Sequence, residues 1–444
     1  MSHAQQLHNR RYLDGYMQII NRAGLPDNVK AEVCQQVHAT VLATVQWTIE
    51  QALEEELTAY IGYPRYAHLP QARPAEYTRS GSYRRALLTQ YAGIPDLRVP
   101  KLRRGNSRLC WQTITRYERC WGALLDQQVL SYCLGLSLRD LQEAMCLTLG
   151  EVLSLEACNR LVLGVEARVE AWKTRRLAAP PPIVMVDGCW VKIAYPSGEV
   201  RVDALGRRRA VKRKQKRVVL TALGVWPDGH WEIVHWKIAT QEDAEAWNAF
   251  IGELYIKGIT EETTQLVISD GTQGLPAALE RHLPCVPHQR CLFHKIKNIA
   301  DHLRYTDLAL EPTLPPAEAV RRAKQARKKA ILADAGQVYS TDVSTEIRAR
   351  AEVFHATWGP REPQAVANFF VDFEQTLGYL TVDFPRTFVS LIRTTNLLER
   401  FHKEIRRKQR DIGMFQSERG CEAVWYLIAT RETAKQQAAL GLQR

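Results

Sequence analysis

IVMVDGCWVKIA, residues 183–194, decides the fold. It follows the breaker Pro180-Pro181-Pro182, and its apolar, partly β-branched run reads as a strand. RVVLTALGVWP (217–227) and HWEIVHWKIA (230–239) have the same character and are separated from it and from each other by turns. The three predict an antiparallel meander. QEDAEAWNAFIGELYIKG (241–258) then predicts a helix, QLVISD (265–270) a short strand, and GTQGLPAALERHL (271–283) a second helix. After the strand-like CVPHQRC (285–291), residues 294–380 predict helices, among them the very basic RRAKQARKKA at 321–330.

The resulting order, β-β-β-α-β-α-β-α, is mixed α/β. It is the order of a ribonuclease-H-like core with an all-α insertion before its last helix. No internal repeat is visible. Within this order Asp187 ends the run IVMVD and Asp270 ends QLVISD, each followed by a glycine. A charge at the end of an apolar strand is costly unless exposed or paired. Each alone is commonly just a helix cap, but two of them on strands that the fold makes neighbours, with an acid on a late helix, invite a metal.

The third acid comes from RTTNLLERFHKEIRRKQR, residues 393–410, which holds two glutamates among seven lysines and arginines. Wound as a helix at about 100° per residue, it places Leu398, Phe401 and Ile405 on one apolar face. Glu399 falls almost opposite, on a stripe with Asn396, Lys403, Arg407 and Arg410, and Glu404 points about 140° away from it. Ion pairs of Glu399 with Lys403, or of Glu404 with Lys408, would contribute only about 0.3–0.5 kcal/mol and favour neither glutamate. Three carboxylates can hold two Mg²⁺ or Mn²⁺ ions about 3.5–4 Å apart for an in-line phosphoryl displacement.

Upstream, residues 1–75 predict a helical region, with Val33, Val37, Val41, Ala43 and Val45 near helical spacing and a Pro- and Tyr-rich linker after residue 62. Residues 76–110 predict a β-hairpin turning at Ala92-Gly93, with Arg79, Arg84, Arg85, Arg98 and Lys101 in or beside it. Residues 111–178 predict helices throughout; Ser137 and Asp140 resemble a capping box, and the triplet fits either a helix-turn-helix DNA reader or plain helix packing. The remaining boundaries are 179–295 for the first part of the core, 296–388 for the insertion, and 389–444 for the last helix and tail.

The 444 residues carry 60 basic and 48 acidic side chains, a net +12, which favours an anionic partner. No apolar run reaches the ~18 residues of a membrane span, and no signal-like segment opens the chain. Ten cysteines without regular spacing then suggest free thiols in a bacterial-type cytoplasm, with nucleoid association and no membrane.

VMVDGCWVK, VISDGTQGL, HQRCLFHKIKNI and RTTNLLERFHKEIRRK, with SGSYRRALLTQYAGIPDLRVPKLR before them, resemble the successive motifs of the Mutator-type bacterial insertion-sequence transposases. The similarity spans roughly residues 55–430. It implies a DDE transposase that uses divalent metal on double-stranded DNA, binds terminal inverted repeats and forms a homo-oligomer, at least a dimer. It also implies that the catalytic, metal-holding acids are Asp187, Asp270 and Glu399, with Asn396 and Arg400 filling the Asn-x-x-Glu-Arg pattern. Cys291 and His294 match the family's C-x-x-H pair near that centre, in a structural or a DNA-contacting role. A zinc site of Cys285, His288, Cys291 and His294 is conceivable, but four ligands in ten residues demand a very tight wrap.

GRRRAVKRKQKR (206–217) holds eight basic residues and is placed at the turn between the first two core strands, beside Asp187. Arg207, Arg208, Arg209, Lys212, Arg213 and Lys214, together with Lys403, Arg406, Arg407 and Arg410, are the expected phosphate contacts. Trp190, Trp226, Trp231 and Trp236 are expected mostly in the sheet core, base stacking being the other option. Two rivals stay open: a structure-selective nuclease on the same core, and a non-catalytic or repurposed DNA-binding protein.

Overall fold

The computed structural model describes residues 29–67, 78–89, 91, 93–103, 110–114, 120–121, 131–132, 136–138, 140–141, 165–202, 206 and 208–441. The chain divides into two compact units, Met1–Val165 and Glu166–Arg444.

In the first unit, helix α1 (Val29–Ile61) accompanies a hairpin of β1 (Arg79–Thr89) and β2 (Gly93–Leu102). Ile49 and Leu53 of α1 pack on Leu87, Ile94, Leu97 and Val99 of the hairpin. Of the valines that suggested the helix, Val45 packs against this core and Val37 is exposed, because the hairpin covers only the later turns. Two of the hairpin's basic residues are held locally: Arg79 pairs with Glu54 at 2.6 Å, and Arg84 with Asp96 at 3.5 Å. Residues 111–178 are not wholly helical, since β3 (Cys120–Trp121) adds to β1 in parallel, Leu88 facing Cys120. The capping box is present: Ser137 N donates to Asp140 Oδ2 at 2.8 Å and Asp140 N to Ser137 Oγ at 3.2 Å. Most of the proposed helix-turn-helix lies outside the described residues.

The second unit opens with α2 (Glu166–Thr174) and is built on a five-stranded mixed sheet in the order β6-β5-β4-β7-β8. Its strands are β4 (Ile183–Val202), β5 (Arg208–Val225), β6 (Trp231–Ala239), β7 (Leu266–Ser269) and β8 (His288–Arg290). The first three form the expected antiparallel meander, and β7 and β8 then add in parallel. Helices α3 (Ala244–Ile256) and α4 (Leu275–His282) make the crossovers that parallel strands require. Trp247, Phe250, Ile251 and Leu254 of α3 close one sheet face over Val184, Val186, Leu220 and Val267. Met185, Val219 and Leu223 are buried as well, so β4 and β5 read as nearly unbroken apolar runs, as strands covered on both faces do.

Four helices follow β8: α5 (Leu292–Ile299), α6 (Pro316–Val338), α7 (Ser344–Trp358) and α8 (Pro363–Phe370). The last three carry a core of their own, in which Phe354 and Phe369 stand 4.8 Å apart between ring centres. The chain returns through the single turn α9 (Val389–Ile392) to α10 (Asn396–Ile412) and α11 (Glu418–Ala439). Phe415, just past α10, exchanges backbone bonds with β4: Ala194 N donates to Phe415 O at 2.8 Å and Phe415 N to Lys192 O at 2.9 Å. That tie seats α10 on β4 beyond the short reach of β7.

Among the described residues no helix is long and apolar enough to cross a membrane, and cysteines 110, 189, 285, 291 and 421 are free thiols.

Two expectations change at the first hairpin. Asp187 does not end its strand; β4 runs on to Val202, with Asp187 paired to Thr221. The tract 206–217 is not a turn, because Arg208 to Arg217 belong to β5 and pair with Val202 back to Val191. It forms the outer arm of a long hairpin. At about 3.3 Å per residue it starts ~13 Å from the level of Asp187 and reaches ~50 Å. A tract of lysines and arginines adopts a strand here because β4 offers it a partner edge, interrupted once between Pro196 and Val200. Arg207 lies outside the described residues.

Candidate active site

The parallel pairing of β4 with β7 fixes the first two acids relative to one another. Ile183 faces Leu266 and Met185 faces Ile268, so the same register carried two residues on puts Asp187 level with Asp270. Asp187 Oδ1 accepts from Gly188 N at 2.8 Å, and its Oδ2 lies 3.2 Å from His402 Nδ1. Asp270 Oδ1 accepts from Thr272 N at 3.2 Å and from Thr272 Oγ1 at 2.6 Å. The turn after Asp270 needs its glycine: Gly271 has φ +98°, and a Cβ there would collide with the Arg290 guanidinium. Arg290 in turn is held by Asp372 at 3.0 Å.

A fourth acid, not anticipated from the sequence, occupies the same corner. A Cβ at Gly188 would come within 2.7–2.8 Å of the Glu242 carboxyl group, so Glu242 lies directly over the residue after Asp187. Burial pushes the Glu242 carboxyl up, and the charges of Asp270 and Asp187 push it further, against hydrogen bonds with Thr272 and Trp190. Trp190 is 46% exposed, contrary to the core role expected of it, while Trp236 is fully buried as expected. Trp226 and Trp231 are half-buried.

Glu399 sits on α10, half-buried at the edge of an exposed stripe of Asn396, Arg400, Lys403, Arg406 and Arg410. The helix buries Leu398, Phe401 and Ile405 as its pattern requires, and also His402, which is 0% exposed and is the residue that meets Asp187. Glu399 does not pair with Lys403. Its Oε1 accepts from Thr395 Oγ1 at 3.1 Å and lies 3.7 Å from His294 Nδ1. Glu404 is no free surface acid either; it joins α10 to α11 through Arg431 at 2.8 Å and also pairs with Arg407 at 3.2 Å.

Thr395 precedes α10 but its hydroxyl makes no cap bond. It is turned instead to Glu399 and to Cys291 Sγ, which accepts from both Thr395 Oγ1 and Thr395 N at 3.3 Å. Leu292 N donates to Arg393 O at 3.2 Å, and the buried Gln289 Nε2 to Ile392 O at 2.9 Å. The start of α5 thus grips the start of α10 across the whole insertion. Burial alone would raise the Cys291 thiol, but bonding from His294 and Thr395 outweighs it and leaves the group below the ordinary thiol range. Cys291 in turn raises His294, with Glu399 and Asp270 adding to the shift against burial.

The ligand atoms of Cys291, His294 and Glu399 lie within 4.8 Å of one another, among the described residues the one such group of three or more His, Cys, Asp and Glu. The four-ligand zinc reading is therefore set aside. Cys285 is exposed, and His288 bonds Ser269 Oγ at 2.8 Å, with burial pushing it down to about 4.

An open groove of about 510 Å³ runs beside α10, lined by Asn396, Glu399, Arg400, Lys403 and Arg406 among others. On the hairpin arm Arg208, Lys212, Arg213 and Lys214 are exposed; Lys212 Nζ donates to Gln416 O at 2.8 Å, and Arg213 pairs with Glu199. Arg209 faces Arg201 across the arm.

The family described as "Transposase, Mutator family" matches residues 24–310 and 316–438. The chain is 26% identical over 378 residues to the transposase for insertion sequence element IS1201 of Lactobacillus helveticus, 85% of this chain and 90% of that protein. It is 25% identical over 389 residues to the transposase for IS256 in transposon Tn4001 of Staphylococcus aureus, covering 87% of each. A solved Drosophila P element transposase strand transfer complex overlaps 72% of this chain and 81% of its own at 12% identity, but its TM-score of 0.27 is too low to argue from. On the match that spans nearly all of its length, the chain belongs to the Mutator family of transposases.

Proposed function

We propose that this transposase binds the terminal inverted repeats of its own insertion sequence, cuts the 3′ phosphodiester and joins the freed 3′-hydroxyl to target DNA. In this reading the second unit is a ribonuclease-H-like core and Asp187, Asp270 and Glu399 are its DDE set. The observation that carries it is the register that levels Asp187 with Asp270, together with His402, from the helix of Glu399, on Asp187 itself.

Mg²⁺ or Mn²⁺ fits these residues. Hard oxygen donors suit such ions, whereas the Cys291 sulfur does not. Bound there, the metal would activate the attacking oxygen and stabilise the departing one. The chain's own parts do the rest. His402 holds the Asp187 carboxylate in one orientation, and Thr272 holds that of Asp270. Arg400, Lys403 and Arg406 line the groove that contains Glu399, where they would grip the backbone phosphates on either side of the reacting one. Assembly as a dimer or larger on paired ends is part of the same reading.

The test is a gel assay with DNA from the flanks of the encoding gene. Asp187→Asn and Asp270→Asn should abolish cleavage and joining while leaving end binding nearly intact. Equal cleavage by variants and parent sinks the assignment. Joining of a pre-cut end separates a transposase from a nuclease on the same core, and complete absence of metal-dependent cutting leaves only a DNA-binding protein.

A further inference from the structure

We propose that Cys291, His294 and Glu399 form a second cation site, built for a borderline-soft divalent metal such as Zn²⁺, and that zinc held there withdraws Glu399 from the acids of the sheet. The binding half stands on its own residues. The inhibitory half rests on the reading of Glu399 as a catalytic acid.

Three observations carry it. The first is convergence. Cys291 immediately precedes α5, His294 lies in the first turn of that helix, and Glu399 lies in the first turn of α10. Their ligand atoms all fall within 4.8 Å of one another, and His294 Nδ1 stands 3.7 Å from Glu399 Oε1. Zinc bonds of about 2.3 Å to sulfur and 2.0–2.2 Å to nitrogen and oxygen set tetrahedral ligands about 3.3–3.6 Å apart. No pair of the three atoms is more than about 1.5 Å from that spacing.

The second is the state of the donors. His294 Nδ1 is a buried atom without a hydrogen-bond partner, and 3.7 Å to Glu399 is too long to make one. Cys291 is 0% exposed, and its Sγ accepts from Thr395 N and Thr395 Oγ1 at 3.3 Å. Outer hydrogen bonds of this kind orient the ligands of a metal. Thr395 Oγ1 also bonds Glu399 Oε1 at 3.1 Å. Its single proton serves the sulfur or the carboxylate, one at a time, and leaves the other open to a cation.

The third is the chemistry of the set. One sulfur, one imidazole nitrogen and one carboxylate oxygen suit zinc, whereas Mg²⁺ asks for oxygen throughout. Three protein ligands leave a fourth position for water, and the open groove that Glu399 lines can supply it. Among the described residues neither Asp187 nor Asp270 belongs to this group, so the two sites share Glu399 alone. While zinc holds that carboxylate, the sheet side lacks its third acid.

The experiment titrates the reduced full chain, without DNA, with Co²⁺, which shows a sulfur-to-metal charge-transfer band when a thiolate binds it. The parent should show the band and lose it to added Zn²⁺. Cys291→Ser should abolish it, and His294→Gln and Glu399→Gln should each weaken Co²⁺ binding about tenfold or more. Asp187→Asn, Asp270→Asn and Cys285→Ser should keep it. A parent without the band, or a band that Cys291→Ser retains, overturns the site. His294→Gln at a half-buried position covers the case in which Cys291→Ser does not fold, and parental affinity in that variant also overturns the site. Cleavage at fixed Mg²⁺ is then followed as Zn²⁺ is added, and His294→Gln should need about tenfold more zinc than the parent for the same fractional loss. Equal sensitivity overturns the inhibition. A parent that binds Co²⁺ through Cys291 but never cuts DNA overturns the catalytic reading, and the inhibition with it, while upholding the site.

Discussion

The two sides of the site are built by different means. Asp187, Asp270 and Glu242 are placed by short-range order: adjacent strands, the turn after β7 and the first residues of α3. Their surroundings are oxygen and amide. Glu399 is placed by long-range order, its helix beginning just after Thr395, which stands 104 residues after Cys291 and gives that sulfur two bonds. Its surroundings are a thiol, a threonine and an imidazole. The comparison teaches that the sheet side is assembled once the sheet forms, whereas the helix side depends on the insertion returning the chain to one place. The two meet through His402.

The largest effect should come from removing either side's charge. Glu399→Gln should lower cleavage by about 10³-fold or more, on the order of 4 kcal/mol of transition-state stabilisation, yet leave Mn²⁺ binding by the sheet side largely in place. If Glu399→Gln removed metal binding as completely as Asp270→Asn, the division into two sides would fail.

A smaller effect separates two histidines six residues apart. His288, on the sheet side, is driven down to about 4 by burial, first, and by the charge of Arg290. Its folded pKa is below its ordinary value, so the unfolded chain takes up the proton first. Stability should therefore fall as pH drops from about 6.5 to 4, by at most roughly 3 kcal/mol, and His288→Gln should flatten that slope. Urea midpoints across this range decide it, and parallel slopes in parent and variant would show that His288 is not held neutral. His294 is raised, so its share runs the other way: present at low pH and lost as pH rises through its folded pKa.

Smaller again is the grip on Glu399. Thr395→Val keeps the size of the side chain and removes the hydroxyl that bonds Glu399 and Cys291. Cleavage should fall about 10–100-fold, as when an outer hydrogen bond to an active group is lost, with end binding unchanged. A loss confined to end binding would show that Thr395 serves DNA and not Glu399.

The sequence legibly carried the elements and not all of their contacts. The meander, both crossovers and the helical insertion follow from apolar runs and breakers, and α10 buries the face its periodicity marks. Glu242 was illegible because its neighbour Asp243 is the better cap, and only tertiary placement shows that the preceding acid turns elsewhere. His402 was overlooked because it lies beside Phe401 on the buried face, where a histidine reads as core. Asp187 was taken as a strand end because a charge and a glycine interrupt an apolar run; β5 nonetheless pairs with β4 from Gly188 to Pro196 and again from Val200 to Val202. The same partner edge turned a supposed basic loop into a strand.

That arm supplies the last and smallest test. Arg208 and Lys214 are exposed on a two-stranded ribbon whose Val200 and Val202 are exposed as well, so no packed face depends on their charge. At ~13–50 Å from the level of Asp187 they are too far out to touch the reacting phosphate, and Coulomb attraction across that span is screened at ordinary salt. They should therefore contribute to affinity and not to chemistry. Lys214→Gln should leave cleavage at saturating DNA unchanged and reduce the slope of log affinity against log salt by about 1, as loss of one phosphate contact does. Lys403→Gln, at the groove beside Glu399, should lower the same slope and also slow cleavage. If the two variants behaved alike in both measurements, the arm would have to fold back over the site, and the separation of gripping from cutting would be lost.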